Sequence, residues 1–150
     1  MEPTTKTALQ ALKNLHLADN RLRYPNLPEY ARSTPKYSDT TANGLTKCII
    51  DFIRYSGGQA ERINCTGRII KKGYSQMYIP TSGQRGTADI SATIQGRSVK
   101  IEVKIGRDRQ SEYQKQYQSD IEASGGIYYI AKDFVSFYAW YLQNFERVGK

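Results

Sequence analysis

Two stretches of alternating apolar residues, "TADISATI" (87–94) and "SVKIEVKI" (98–105), flank Gln95-Gly96-Arg97 and constrain the chain more than any other feature. Apolar residues at every second position suit a strand with one buried face, and a short Gly-containing link suits a hairpin turn. Ala88, Ile90, Ala92 and Ile94 form the apolar face of the first strand, and Val99, Ile101, Val103 and Ile105 that of the second. Lys100, Glu102 and Lys104 share the opposite face. Gly96 lies seven residues after Asp89 and six before Glu102, so folding back at the turn brings two carboxylates together. Like charges repel, so their convergence needs a reason. A hard divalent cation supplies one, because Mg2+ takes oxygen ligands and is often held by one or two carboxylates plus a substrate phosphate. Lys104, on the face of Glu102, suits contact with a scissile phosphate or the orientation of an attacking water.

The rest of the chain reads as helices and short strands around this hairpin. The N-terminal segment has Ala8, Leu9, Ala11, Leu12 and Leu15 on one side of an amphipathic helix. Residues 20–41 contain Pro25, Pro28 and Pro35 and read as an extended linker. Residues 1–38 are therefore expected to form a helix and arm, and residues 39–150 a separate domain. Asp39-Thr40-Thr41 offers caps for a helix with Leu45, Ile49, Phe52 and Ile53 on its apolar face, ended by Gly57-Gly58. "QAERINC" alternates weakly, and "GRIIKKGYSQMYIP" suggests two strands joined at Lys-Lys-Gly. Residues 110–124 read as helix, "IYYIA" as a short buried strand, and Asp133 as the cap of a last helix. After the N-terminal helix the order is α-β-β-β-β-β-α-β-α. This predicts an α/β or α+β domain whose mixed sheet is flanked by helices. The stripe Phe134, Phe137, Tyr138 and Tyr141 is expected to be core packing.

Charge and composition narrow the function. The 150 residues carry a formal charge of +8, of which residues 41–86 hold seven basic and two acidic groups. A polyanionic partner, nucleic acid above all, is the simplest reading, with surface solubility as the plain alternative. The single histidine, His16, argues against HNH nucleases, His-ligated zinc proteases and Ser-His-Asp hydrolases. Cys48 and Cys65 lack zinc-type spacing and suit a reducing interior. No run approaches the ~18 apolar residues of a membrane helix, and the N-terminal stretch lacks the apolar core of a signal peptide. A cytoplasmic protein without membrane partners is expected.

Asp89, twelve residues, then Glu102-Val103-Lys104 resembles the catalytic core of the PD-(D/E)XK nucleases, which have the restriction-endonuclease-like fold. The ordered set of a helix ending in Gly-Gly, then "ERIN", "GTADI", "IEVK", "RQSEYQ" and "GGIYYIA" resembles the virus-type replication-repair nuclease group (VRR-NUC). The resemblance spans roughly residues 40–141. It implies a nuclease whose Mg2+, replaceable by Mn2+, is held by Asp89, Glu102 and the main-chain carbonyl of Val103, with Lys104 and Gln114 in catalysis. It also implies DNA as substrate, flap or branched, and for standalone members a homodimer cutting four-way junctions. Ala88 replaces the family's usual proline. Asn43 stands about where the family carries a helix glutamate, and offers a neutral ligand or a water contact; Asp51 lies two turns further on. Ser111 is read as a contact to DNA or as a helix cap. Arg62, Asn64, Lys71, Lys72 and Arg85 are read as phosphate contacts. A non-catalytic DNA-binding module with a decayed site, or an RNA-processing nuclease, are the alternatives.

Overall fold

The computed structural model of the chain describes residues 2–64, 68–80 and 83–145. The elements in chain order are α1 (Thr5–Arg23), a single 3-10 turn (Glu29–Ala31), α2 (Ala42–Tyr55), β1 (Gln59–Arg62), β2 (Arg68–Lys72) and β3 (Ser75–Ile79). They continue with β4 (Ile90–Ile94), β5 (Arg97–Val103), α3 (Glu112–Ala123), β6 (Ile127–Ala131) and α4 (Phe134–Asn144). The fold is of the α+β class, with a mixed four-stranded sheet in the order β1-β4-β5-β6 and a separate two-stranded ribbon, β2-β3. The β1–β4 and β4–β5 pairs are antiparallel, while β5 and β6 are parallel.

The hairpin at the centre forms as the alternation requires. Ile90, Ala92, Ile94, Val99 and Ile101 are all at most 2% exposed. Ile90 faces Ile101 and Ile94 faces Arg97, so the turn has only two residues, Gln95 and Gly96. Both have positive φ, 49° and 78°, the conformation whose twist matches a two-residue hairpin.

Helices α2 and α4 cover the apolar face of the sheet, and α1 packs on both of them. Thr41 caps α2 by accepting from the Gly44 N–H, and Gly57 and Gly58 close it by donating to the Arg54 and Ile53 carbonyls. Phe52 of α2 lies at the centre of an aromatic cluster, its ring 4.9–5.9 Å from those of Phe134, Phe137, Tyr138 and Tyr141. The stripe expected on the last helix is thus core, with Tyr138 only partly buried. Asp39, expected as a cap for α2, instead accepts from the Phe134 N–H at 2.9 Å and so ties the entry of α2 to the start of α4.

Residues 1–38 are not an arm. Ala8, Leu12 and Tyr37 are buried in the same core as α2 and α4, because the apolar stripe of α1 needs a partner face and finds it there. The helix also runs four residues, through Arg23, into the stretch expected to be extended. The proline-bearing link after it is gathered by Arg32, whose guanidinium donates to the carbonyls of Asn20, Tyr24 and Leu27. His16 is held between the Tyr55 hydroxyl (3.0 Å) and the Ser33 carbonyl (3.2 Å), a structural role.

Two further expectations differ in detail. Strand β6, expected to be buried, is half-buried up to Ala131, since it forms a sheet edge. Cys48 is a free thiol inside the core, and Cys65 lies outside the described residues. No described helix is long and apolar enough to cross a membrane.

Candidate active site

The polar face of β5 lies opposite the α1-α2-α4 layer, and α3 packs over it, with Tyr117 of α3 edge-on to Tyr128 of β6. Glu102 is therefore a carboxylate between a sheet and a helix, only 2% exposed. Lys104 is 8% exposed on the same face. Its Nζ lies 3.3 Å from Glu102 Oε1 and 3.5 Å from Asp108 Oδ2.

Asp89 stands at the bend just before β4, and the hairpin register brings it level with Glu102. The Val103 N–H donates to Asp89 Oδ2 at 2.8 Å, and the Ile63 N–H donates to the Asp89 carbonyl at 2.8 Å. The carboxylate is thus pinned to β5 and its main chain to the end of β1.

Gln114 is fixed by its own helix cap. Ser111 Oγ accepts from the Gln114 N–H, and Gln114 Oε1 accepts from the Ser111 N–H at 2.9 Å, a reciprocal capping box. With the amide oxygen so committed, the Nε2 end must face away from the cap. It donates to Glu102 Oε1 at 2.6 Å. The Ser-x-x-Gln spacing therefore does two jobs: it starts α3 and orients Glu102. Ser111 is the helix cap; Gln114 is a positioning residue.

These contacts all converge on one oxygen of Glu102. The other, Oε2, is buried and no donor of the chain reaches it; the Glu102 carboxyl lies within hydrogen-bonding reach of the Asp89 carboxylate, with which it can share a proton. Burial, and then the Asp89 carboxylate beside it, push the Glu102 carboxyl up to about 7, with Lys104 opposing the rise. An unpartnered buried carboxylate oxygen costs about 1–3 kcal/mol or more unless something satisfies it. Two carboxylates offering hard oxygens fit Mg2+ or Mn2+ rather than a soft metal. Among the described residues no group of three or more His, Cys, Asp or Glu side chains could hold a metal. Asp89 and Glu102 are the two acids that the hairpin brings together.

Asn43 is already bonded to the end of strand β1. Its Oδ1 accepts from Arg62 Nη2 at 2.9 Å, so helix α2 and strand β1 are linked there. Arg62, expected on phosphate, is engaged in that bond. Asn64 follows the Ile63 amide that holds Asp89.

Asp89 and Gln114 line a cleft of about 730 Å³ that also reaches Tyr78, Arg85, Ser111 and Tyr113. Its two walls meet tightly. Gly86 has φ +78°, and a Cβ there would lie 2.3 Å from the Tyr113 carbonyl oxygen, so the loop that leads to Asp89 rests directly on the first turn of α3. Arg85 stacks on the Tyr113 ring (5.2 Å) and donates to its hydroxyl (3.1 Å). Lys71 and Lys72 are exposed on the ribbon. Tyr78, Tyr113 and Asp108 were not picked out in the sequence. Tyr113 could have been, since it sits beside Gln114 in the cap motif; Asp108, in an irregular loop, gives no pattern.

No protein-family model and no curated protein matches the chain.

The role of Gln114 can be tested directly. Gln114→Ala should keep the fold, since the cap hydroxyl remains; if Glu102 is a Mg2+ ligand of a nuclease, it should also raise the Mg2+ needed for half-maximal cleavage about 10–100-fold, as removal of a hydrogen-bond partner behind a metal ligand does. A titration of activity against Mg2+ reads this; an unchanged midpoint would assign Gln114 to the helix cap alone.

Proposed function

We propose that the chain is a metal-dependent nuclease of the PD-(D/E)XK type, similar to the VRR-NUC group, that hydrolyses phosphodiester bonds in DNA with flap or branched structure. One observation carries this reading: a buried Glu102 oxygen that no donor of the chain reaches, beside Asp89 and Lys104. Asp89 and Glu102, with the Val103 carbonyl, would hold Mg2+ or Mn2+. When bound, such an ion lowers the pKa of its water and offsets charge on a phosphate. Asp89 is held by the Val103 amide and Glu102 by Gln114, so both donors are oriented before substrate arrives. Lys104, nearly buried, keeps a positive charge beside Glu102 and suits the stabilisation of a phosphate acquiring negative charge. The acid-poor segment 41–86 supplies a surface for the phosphate backbone.

A second reading, a DNA-binding module with a decayed site, draws on the absence of a third acid among the described residues and on the bond between Asn43 and Arg62. The test uses flap DNA, four-way-junction DNA, plasmid and RNA with Mg2+, Mn2+ or a chelator, and the parent against Asp89→Asn. Cleavage that needs the metal and falls more than about 10²-fold in the variant supports the nuclease. Binding without cleavage under every condition supports the module, and cleavage of RNA alone redirects the substrate. Calorimetric titration with Mn2+ reads the ion site independently of activity, and the same variant should lose that binding.

A further inference from the structure

The β2–β3 ribbon stands apart from the core. Its strands pair with each other, from Arg68↔Ile79 to Lys72↔Ser75, and no other described element packs on it to a comparable extent. Ile69 is 64%, Met77 54% and Tyr78 64% exposed, and Tyr74 at the tip is fully exposed. A bare two-stranded ribbon with apolar side chains on both faces is marginal in water, and its surface suits a partner.

Charge indicates what partner. From residue 63 to residue 88 the sequence has no Asp or Glu but has Arg68, Lys71, Lys72 and Arg85. The occupant is a polyanion with apolar faces, and a nucleic acid presents both. Register gives the orientation. Ile69 and Tyr78 pair directly, as do Lys71 and Gln76, so these four share one face. Tyr78 lines the cleft that contains Asp89. Tyr113 lines the same cleft, 57% exposed, its ring backed by the Arg85 guanidinium.

We propose that Tyr78 and Tyr113 form a two-sided clamp that stacks on an unpaired base in the Asp89 cleft, with Lys71 and Arg85 on the adjoining phosphates. The inference rests on the nuclease reading for what happens at Asp89, but not for the binding itself. A paired base keeps its faces within the helix stack and cannot enter between two rings, so the clamp selects substrates with an unpaired nucleotide beside the scissile phosphate.

The experiment measures binding of fluorescent single-stranded, splayed-arm and blunt duplex DNA of equal length, in chelator, by anisotropy. The parent should bind the first two at least about tenfold more tightly than duplex. Tyr78→Ala and Tyr113→Ala should each cut that preference about tenfold with duplex affinity nearly unchanged, and Tyr78→Phe should restore it. Lys71→Gln should weaken all three DNAs alike and flatten the salt dependence. Alanine variants that keep the preference, or lose affinity for all three DNAs equally, overturn the clamp. So does a change in oligomeric state with unchanged preference, which would make the ribbon a contact between two copies. Intact preference in a protein that never cleaves sinks the nuclease reading alone; cleavage retained by alanine variants with full preference sinks the clamp alone.

Discussion

Replacing Glu102 with glutamine is expected to stop cleavage and, in the absence of metal, to make the protein more stable at pH 8. Both effects come from the same burial. The Glu102 carboxyl is raised from an ordinary 4.5 to about 7, foremost by loss of water and then by the nearby Asp89 charge. The folded chain therefore holds this proton more tightly than the unfolded chain does. Ionising it costs folding free energy, so stability falls as pH rises from about 4.5 to about 7 and the full penalty stands above that. A rise of this size corresponds to about 3 kcal/mol. Glutamine removes the charge and keeps an oxygen for the Gln114 amide to bond. Lys104 loses one of its two carboxylate neighbours, which offsets part of the gain. The net expectation is about 1–2 kcal/mol at pH 8, or a few degrees in Tm, and little difference near pH 5. Mg2+ should raise the Tm of the parent and not of the variant, and cleavage should fall more than about 10²-fold. Thermal melts at the two pH values, with and without Mg2+, read all of this. A variant no more stable than the parent at pH 8 would mean that the Glu102 charge is already satisfied, and the ion site would lose its main support.

This opposition between stability and function explains why some of the site could be read from sequence and some could not. The alternation at 87–105 specified the hairpin because burying one face fixes register, and a slip of one residue would turn Ile90 and Ile101 to solvent. Register in turn set Asp89 level with Glu102. The apolar stripes of α2 and α4 were legible for the same reason. What escaped was decided by long-range packing. Nothing local says that the Ala8 and Leu12 stripe docks on α2 and α4 instead of standing beyond them as an arm. Asp39 looks like a cap for the helix it precedes, and only the tertiary fold brings it to α4, 95 residues later. The resemblance offers Asn43 as a neutral ligand or a water contact, and nothing local shows that the strand beside it delivers Arg62 to its oxygen. Gln114 shows a local rule carrying function: the cap box dictates which end of its amide faces Glu102.

Lys104→Met is expected to lower cleavage at pH 7 by more than about 10²-fold and to shift what remains toward higher pH. The lysine is 8% exposed and its ammonium stands 3.3 Å from Glu102, so it is the cation that makes ionisation of that buried carboxyl tolerable. Methionine fills a similar volume without the charge. Burial and Asp89 then act on Glu102 without opposition, and its proton is released only at a pH above the parent's value of about 7. Because the carboxylate form is the one that offers its oxygens to a cation, the activity profile should rise later with pH in the variant than in the parent. The fold should survive, since Asp108, the other neighbour of Lys104, is exposed and has water available, and Glu102 can stay protonated. Lys104→Arg is not a conservative control, because a planar guanidinium in so closed a site changes both size and direction of the charge. The measurement is cleavage rate against pH at a fixed Mg2+ concentration well below saturation, where ionisation of Glu102 limits ion binding, for parent and methionine variant, with Tm recorded at each pH. A loss of rate with an unshifted profile would confine Lys104 to contact with the phosphate. A shifted profile with a small loss would make it a device for ionising Glu102. The geometry, one ammonium shared by a buried carboxylate and a solvent-facing one, calls for both effects together.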